Sequence, residues 1–154
     1  MDTQTLRRAL VVLLAGLLPV TLAGVEAADD KRLMVSMPAP MQEHMLANMR
    51  DHVAVLDQLL GLVAAEKFRQ ASELAEARLG MSSLGLHGAA HMAPFMPQPM
   101  QDIGTTMHRA ASRFALVATD ADVKRSYESM RKVTAALHEI TSTCAACHAG
   151  FRIR

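Results

Sequence analysis

Tyr127 to Arg152 reads YESMRKVTAALHEITSTCAACHAGFR, and its apolar positions Tyr127, Met130, Val133, Leu137, Ile140, Cys144, Cys147 and Phe151 recur at spacings of three and four. That period is the stripe of an amphipathic helix. The same stretch contains the only two cysteines of the chain, in the order Cys144, Ala145, Ala146, Cys147, His148. Two thiols one helical turn apart, followed at once by an imidazole, make the CxxCH signature of covalent haem attachment: the thiols add to the two vinyl groups and the histidine becomes an axial iron ligand.

CxxC also occurs in thioredoxin-like redox sites, structural zinc sites and disulfides. Zinc needs about four ligands, and no second CxxC is present. A thioredoxin-like site follows a strand, whereas Cys144 here lies well inside a helical pattern. Haem attachment is the reading that accommodates the histidine as well.

Working backwards from that helix, the pattern repeats. Pro38 and Pro40 mark a helix start, and from there Met41, Met45, Met49, Leu56, Leu59 and Val63 share a face with His52. A break near Ala65 and Glu66 precedes a shorter amphipathic run, Phe68, Ala71, Ala75 and Leu79, for which Gly80 is expected as a left-handed cap. Residues 81–99 contain Gly85, Gly88, Pro94, Pro97 and Pro99 and read as one long connection. A third long helix follows with Met100, Ile103, Met107, Ala110, Phe114 and Val117, and Thr119 or Asp120 is positioned to cap the fourth, which is expected to run through Phe151. No strand is expected. Four amphipathic helices with a long middle connection predict an all-α chain, an antiparallel four-helix bundle with covalent haem c on the C-terminal helix.

The first residues have a different character. Arg7 and Arg8 precede an apolar stretch from Ala9 to Ala23, with small residues at Ala23, Ala27 and Ala28. This is the layout of a secretory signal, cleaved after Ala27 or Ala23, and the apolar stretch is short for a membrane span. Residues 1–27 are therefore expected to direct export, with 28–154 as the mature domain and the periplasm as the destination. Taking 27 residues from 154 leaves 127, about one domain. The formal net charge of +1 and the lack of a basic run give no electrostatic case for nucleic acid.

Composition adds a further signal. There is no Trp, one Tyr and four Phe, against 12 Met. A flat apolar cofactor would supply the bulk that the missing aromatics do not, although a core filled with flexible methionines has the same composition.

The end of the last helix, Cys144 to His148 continued by Ala149, Gly150, Phe151 and Arg152, resembles the C-terminal motif of the cytochrome c′ family, CxxCHxxFR or CxxCHxxYR. The resemblance implies a periplasmic four-helix-bundle cytochrome carrying one haem c per chain, often a homodimer packed through its first two helices. It implies haem bonds from Cys144 and Cys147, His148 as proximal ligand, and Arg152 near the proximal side and haem edge. Classical members leave the iron five-coordinate and bind small gases such as nitric oxide. A low-spin subgroup places a methionine from the first helix on the iron and transfers electrons.

Aligning Leu59 to Phe68 with the turn between the first two helices of that subgroup puts its ligand at Met49, with Met45 and His52 as alternatives on the same face. The arginine that classical members carry one turn earlier is replaced by Met45, and Arg50 is a poor substitute. The expected function is electron transfer with a redox partner protein through a His148/Met49-ligated haem; the alternative is gas binding with His148 alone. No acid/base pair or nucleophile accompanies the motif, so no enzyme is expected. A weaker alternative is copper binding by His87, His91 and Met92, with Met96 and Met100 beyond. His44, His108 and His138 are expected on helix surfaces.

Overall fold

Pro38 and Pro40 do open a helix: in the computed structural model, which describes residues 29–154, α1 runs Ala39–Ala64 with Pro38 as its N-cap. Proline suits this position because its missing N–H falls among the amides that have no intrahelical partner. The helix ends where Glu66 takes a left-handed conformation, φ 54°, a geometry that costs a non-glycine residue about 1 kcal/mol. α2, Phe68–Arg78, starts directly afterwards.

α2 does not end as its glycine suggested. Gly80 is extended, φ −70° and ψ 179°, so a left-handed cap is not what requires it. A Cβ there would lie 2.3 Å from Glu76 Oε2 and 2.9 Å from the Glu76 Cα. Glycine is needed for close approach, which lets the chain turn sharply back over α2.

The connection that follows is more regular than its glycines and prolines implied. It contains a 3₁₀ turn at Met81–Ser83, the one-turn helix α3 at Ala89–Met92, and a second 3₁₀ turn at Ala93–Phe95. Gly88, φ 63°, supplies the left-handed residue before α3, where no side chain is comfortable. α4 spans Gln98–Val123 and α5 spans Tyr127–Gly150. Thr119 and Asp120 lie inside α4 and cap nothing; Ser126 is the cap of α5, its Oγ accepting from the Ser129 N–H at 3.0 Å. The cap moved because α4 stays helical through Ala121, which is buried.

The described residues are therefore mostly helical, with α1 packed on α2, α2 on α4 and α4 on α5. No strand was expected, yet two very short ones form. β1, Leu33–Met34, pairs in parallel with β2, Phe151–Arg152, and Val35 N–H donates to Arg152 O at 2.8 Å. α5 thus stops at Gly150, and Phe151 and Arg152 are extended rather than a fifth heptad-like step of the helix. The reason is tertiary: backbone groups at this end are satisfied by the incoming segment before α1, which a helical period within α5 cannot foresee.

Two apolar clusters make up the interior. The larger one joins Val55, Leu59 and Val63 of α1 with Phe68, Ala71 and Ala75 of α2, Ala110, Ala111, Phe114 and Ala118 of α4, and Val133, Leu137 and Ile140 of α5. Its alanines let the helices approach closely around Phe114. The second cluster buries Val35, Met45, Met92 and Met100, with Met37, Met41, Met49, Met96, Cys147, Phe151 and Ile153 packed against it. It gathers seven of the chain's 12 methionines. Among the described residues no helix is long and apolar enough to cross a membrane; the expected signal segment, residues 1–27, lies outside the described residues.

Candidate functional site

The CxxCH residues sit in the last two turns of α5, and the helical period decides which way each one faces. Cys144 and Cys147 are half-buried, free of any disulfide, and turned inward. Cys144 packs against the larger core and Cys147 against the methionine cluster. Burial raises the pKa of both thiols, and the neighbouring Cys144 adds to the effect at Cys147. They are therefore held as thiols rather than as reactive thiolates. His148, one turn after Cys144 on the same face, is exposed.

The strand pair covers this end of the helix. Arg32 Nη1 donates to the His148 carbonyl at 3.4 Å, and Gln42 of α1 reaches the Ile153 carbonyl with its side-chain amide. Arg152 is placed by β2, so it does not share a helical face with His148. Sequence reasoning missed the segment 31–37 as part of this site, because only β1–β2 pairing brings Val35 and Met37 to the methionine cluster.

The candidate iron ligands on α1 separate into two environments. Met45 is 7 % exposed and Met49 is half-buried, and both belong to the cluster that includes Cys147. His52, one turn on, leaves that cluster. Its ring packs edge-on against His87, with centroids 4.6 Å apart, and lies 6.1 Å from the ring of His108. His87 and His108 are 5.4 Å apart. Three buried imidazoles from α1, the 81–95 connection and α4 thus form a layer between the two apolar clusters.

That layer corrects two expectations. His108 is 7 % exposed and not on a helix surface; α4 is rotated so that its Nδ1–H donates to the Leu79 carbonyl at 2.7 Å. His44 is half-buried, and its Nε2–H donates to the His87 carbonyl at 2.9 Å, beside a 3.0 Å bond from Asn48 Nδ2 to the same oxygen. His138 is exposed, as expected. The layer also separates the residues considered for copper. His87 is buried with the other imidazoles, Met92 is buried among the methionines, and His91 is exposed, so the three share no environment.

All three buried rings are pushed toward the neutral form, first by desolvation. His52 falls to about 4, with His87 and His108 adding repulsion and Asp51 opposing. His87 and His108 are lowered as well, the latter against the raising effect of its bonds to the Leu79 and Gly80 backbone.

No protein-family model, curated protein or solved structure matches the chain.

Proposed function

We propose that the chain is a c-type cytochrome of the cytochrome c′ kind, a periplasmic four-helix-bundle electron carrier in which α1, α2, α4 and α5 are the four helices. The observation that carries this reading is the pair of unbridged, half-buried thiols on the helix that also bears His148, Cys147 against the methionine cluster and Cys144 against the adjoining core. The residues fit the group. Thioether side chains such as Met41, Met45, Met49 and Met96 repack at low cost around a large flat cofactor, where a core of aromatic rings would not.

Haem held there supplies a one-electron iron couple. Cys144 and Cys147 would each form a thioether link, the thiol hydrogen passing to the vinyl group. His148 would offer an imidazole nitrogen and Met49 a thioether sulfur to the iron. A thioether ligand would favour the reduced state of the iron, which suits electron transfer over gas binding. The outer face of α5 at the motif, Ala145, Ala146, Ala149 and Gly150, is exposed and carries no bulky side chain. A redox partner can therefore approach the motif closely.

The test is the optical spectrum of the chain produced in a host that attaches haem c. The oxidised protein should carry one covalent haem, be low-spin and show the sulfur-to-iron charge-transfer band, and Met49→Ala should abolish that band. A high-spin spectrum that shifts on adding nitric oxide or carbon monoxide would replace electron transfer by gas binding. Purification with copper and no haem would sink both.

A further inference from the structure

His52 and His87 each bury an Nε2 atom that has no hydrogen-bond partner. Such atoms cost about 1–3 kcal/mol each unless something satisfies them, and both residues are more than nine-tenths buried, at 8 % and 5 % exposure. The third ring, His108, uses its Nδ1–H on the Leu79 carbonyl, which leaves its Nε2 with a free lone pair. A backbone carbonyl behind one ring nitrogen is the usual support for a histidine whose other nitrogen binds a metal. Ser83, 1 % exposed, lies behind His87 in the same way, its Oγ 3.4 Å from Nδ1.

The ring separations approach those of a three-histidine centre. With metal–nitrogen distances of 2.0–2.1 Å and tetrahedral angles, imidazole centroids stand about 5 Å apart; here they are 4.6, 5.4 and 6.1 Å. Among the described residues the donor atoms do not already converge to hold an ion, but the torsion that turns an imidazole is broad and soft, and no strong bond fixes the ring of His52 or His87. Desolvation keeps all three rings neutral at pH 7, the form that coordinates.

We propose that His52, His87 and His108 form a second metal site, separate from the CxxCH end, for a divalent ion of the zinc type, with water as the fourth ligand. Neutral nitrogen donors with no thiolate or carboxylate among them suit zinc and its neighbours rather than calcium or magnesium. The site would tie α4 to α1 and to the 81–95 connection, adding to the bonds that His44 and Asn48 of α1 already make to the His87 carbonyl. It uses none of Cys144, Cys147, His148 and Met49, so its test can be read separately from that of the haem.

The full chain, stripped with chelator and dialysed against Zn²⁺, should retain one equivalent by elemental analysis. Zinc K-edge absorption should show nitrogen scatterers near 2.0–2.1 Å with the signature of three imidazoles, a readout that iron at the other end does not disturb. His52→Gln and His108→Gln should lose stoichiometric zinc while His138→Gln keeps it. No zinc retained, fewer than three imidazoles at the edge, or zinc kept equally by His52→Gln would overturn the proposal and leave ordered water to satisfy the two buried nitrogens. Should the glutamine variants fail to fold, the wild-type edge spectrum decides alone.

Discussion

Phe114, Leu59 and Ile140 at one end of the interior and Met45, Met92 and Met100 at the other are buried to nearly the same degree, yet the two ends are made of different materials. The first cluster is branched, aromatic and alanine-rich, with side chains that have few rotamers and one good way to pack. The second is mostly unbranched thioether, which fills space without specifying its shape. Equal burial therefore does not mean equal rigidity. The end that Cys147 faces is the end that can reshape around something large, while Cys144 borders the rigid one, and the buried histidines mark the seam between the two.

The largest effect that would break this contrast is a cavity comparison. Phe114→Ala should cost about 3–5 kcal/mol, whereas Met92→Leu or Met45→Leu, which conserve volume, should cost under about 1.5 kcal/mol. Urea unfolding of each variant measures both, and a methionine swap as costly as the Phe114 truncation would mean that the second cluster is a jigsaw like the first.

Acid should act at the seam. His52 titrates near 6.5 unfolded and about 4 folded, so below pH 6.5 the unfolded chain takes up a proton that the native state refuses. Stability is complete above pH 6.5 and declines toward pH 4, by about 3 kcal/mol from His52, with His87 and His108 shifted the same way. Asp51 moderates the loss at His52 and His87, and Arg78 and His44 add to it at His87. Urea midpoints at pH 7 and pH 4.5 in chelator should show the decline, and His52→Gln should reduce it; an unchanged midpoint would separate the histidine layer from the stability of either end.

Smaller still is the cap at the start of α5. Ser126→Ala removes the acceptor for the Ser129 N–H and should cost about 1 kcal/mol. Because Ser126 lies far along α5 from the methionines, a thermal scan should show this loss with no change in any spectrum of the CxxCH end.

Much of the helical layout was legible because helix periodicity and proline are local signals. Pro38 and Pro40 begin α1, the break at Ala65 and Glu66 separates α1 from α2, and the stripe from Met130 to Cys147 lies on α5. Errors arose where a residue's role depends on a distant neighbour. Gly80 follows α2 as a left-handed cap would, but the reason for glycine there is the proximity of Glu76. His108 reads as a surface residue because imidazole is polar, and only the Leu79 carbonyl brought over from the end of α2 gives its buried ring a partner. Phe151 and Arg152 continued a helical spacing in sequence but are held extended by Leu33 and Met34.

The sequence by itself determined that the chain is helical, where most helices start, and that two thiols and an imidazole stand together on the last one, because each of these follows from spacing within a few turns. The tertiary structure alone decided that Cys147 meets a methionine cluster closed by Val35 and Met37 while Cys144 meets the larger core, and that His52, His87 and His108 meet. Both depend on the rotation of helices about their axes and on the path of the segments between them, which long-range packing sets and no local period encodes.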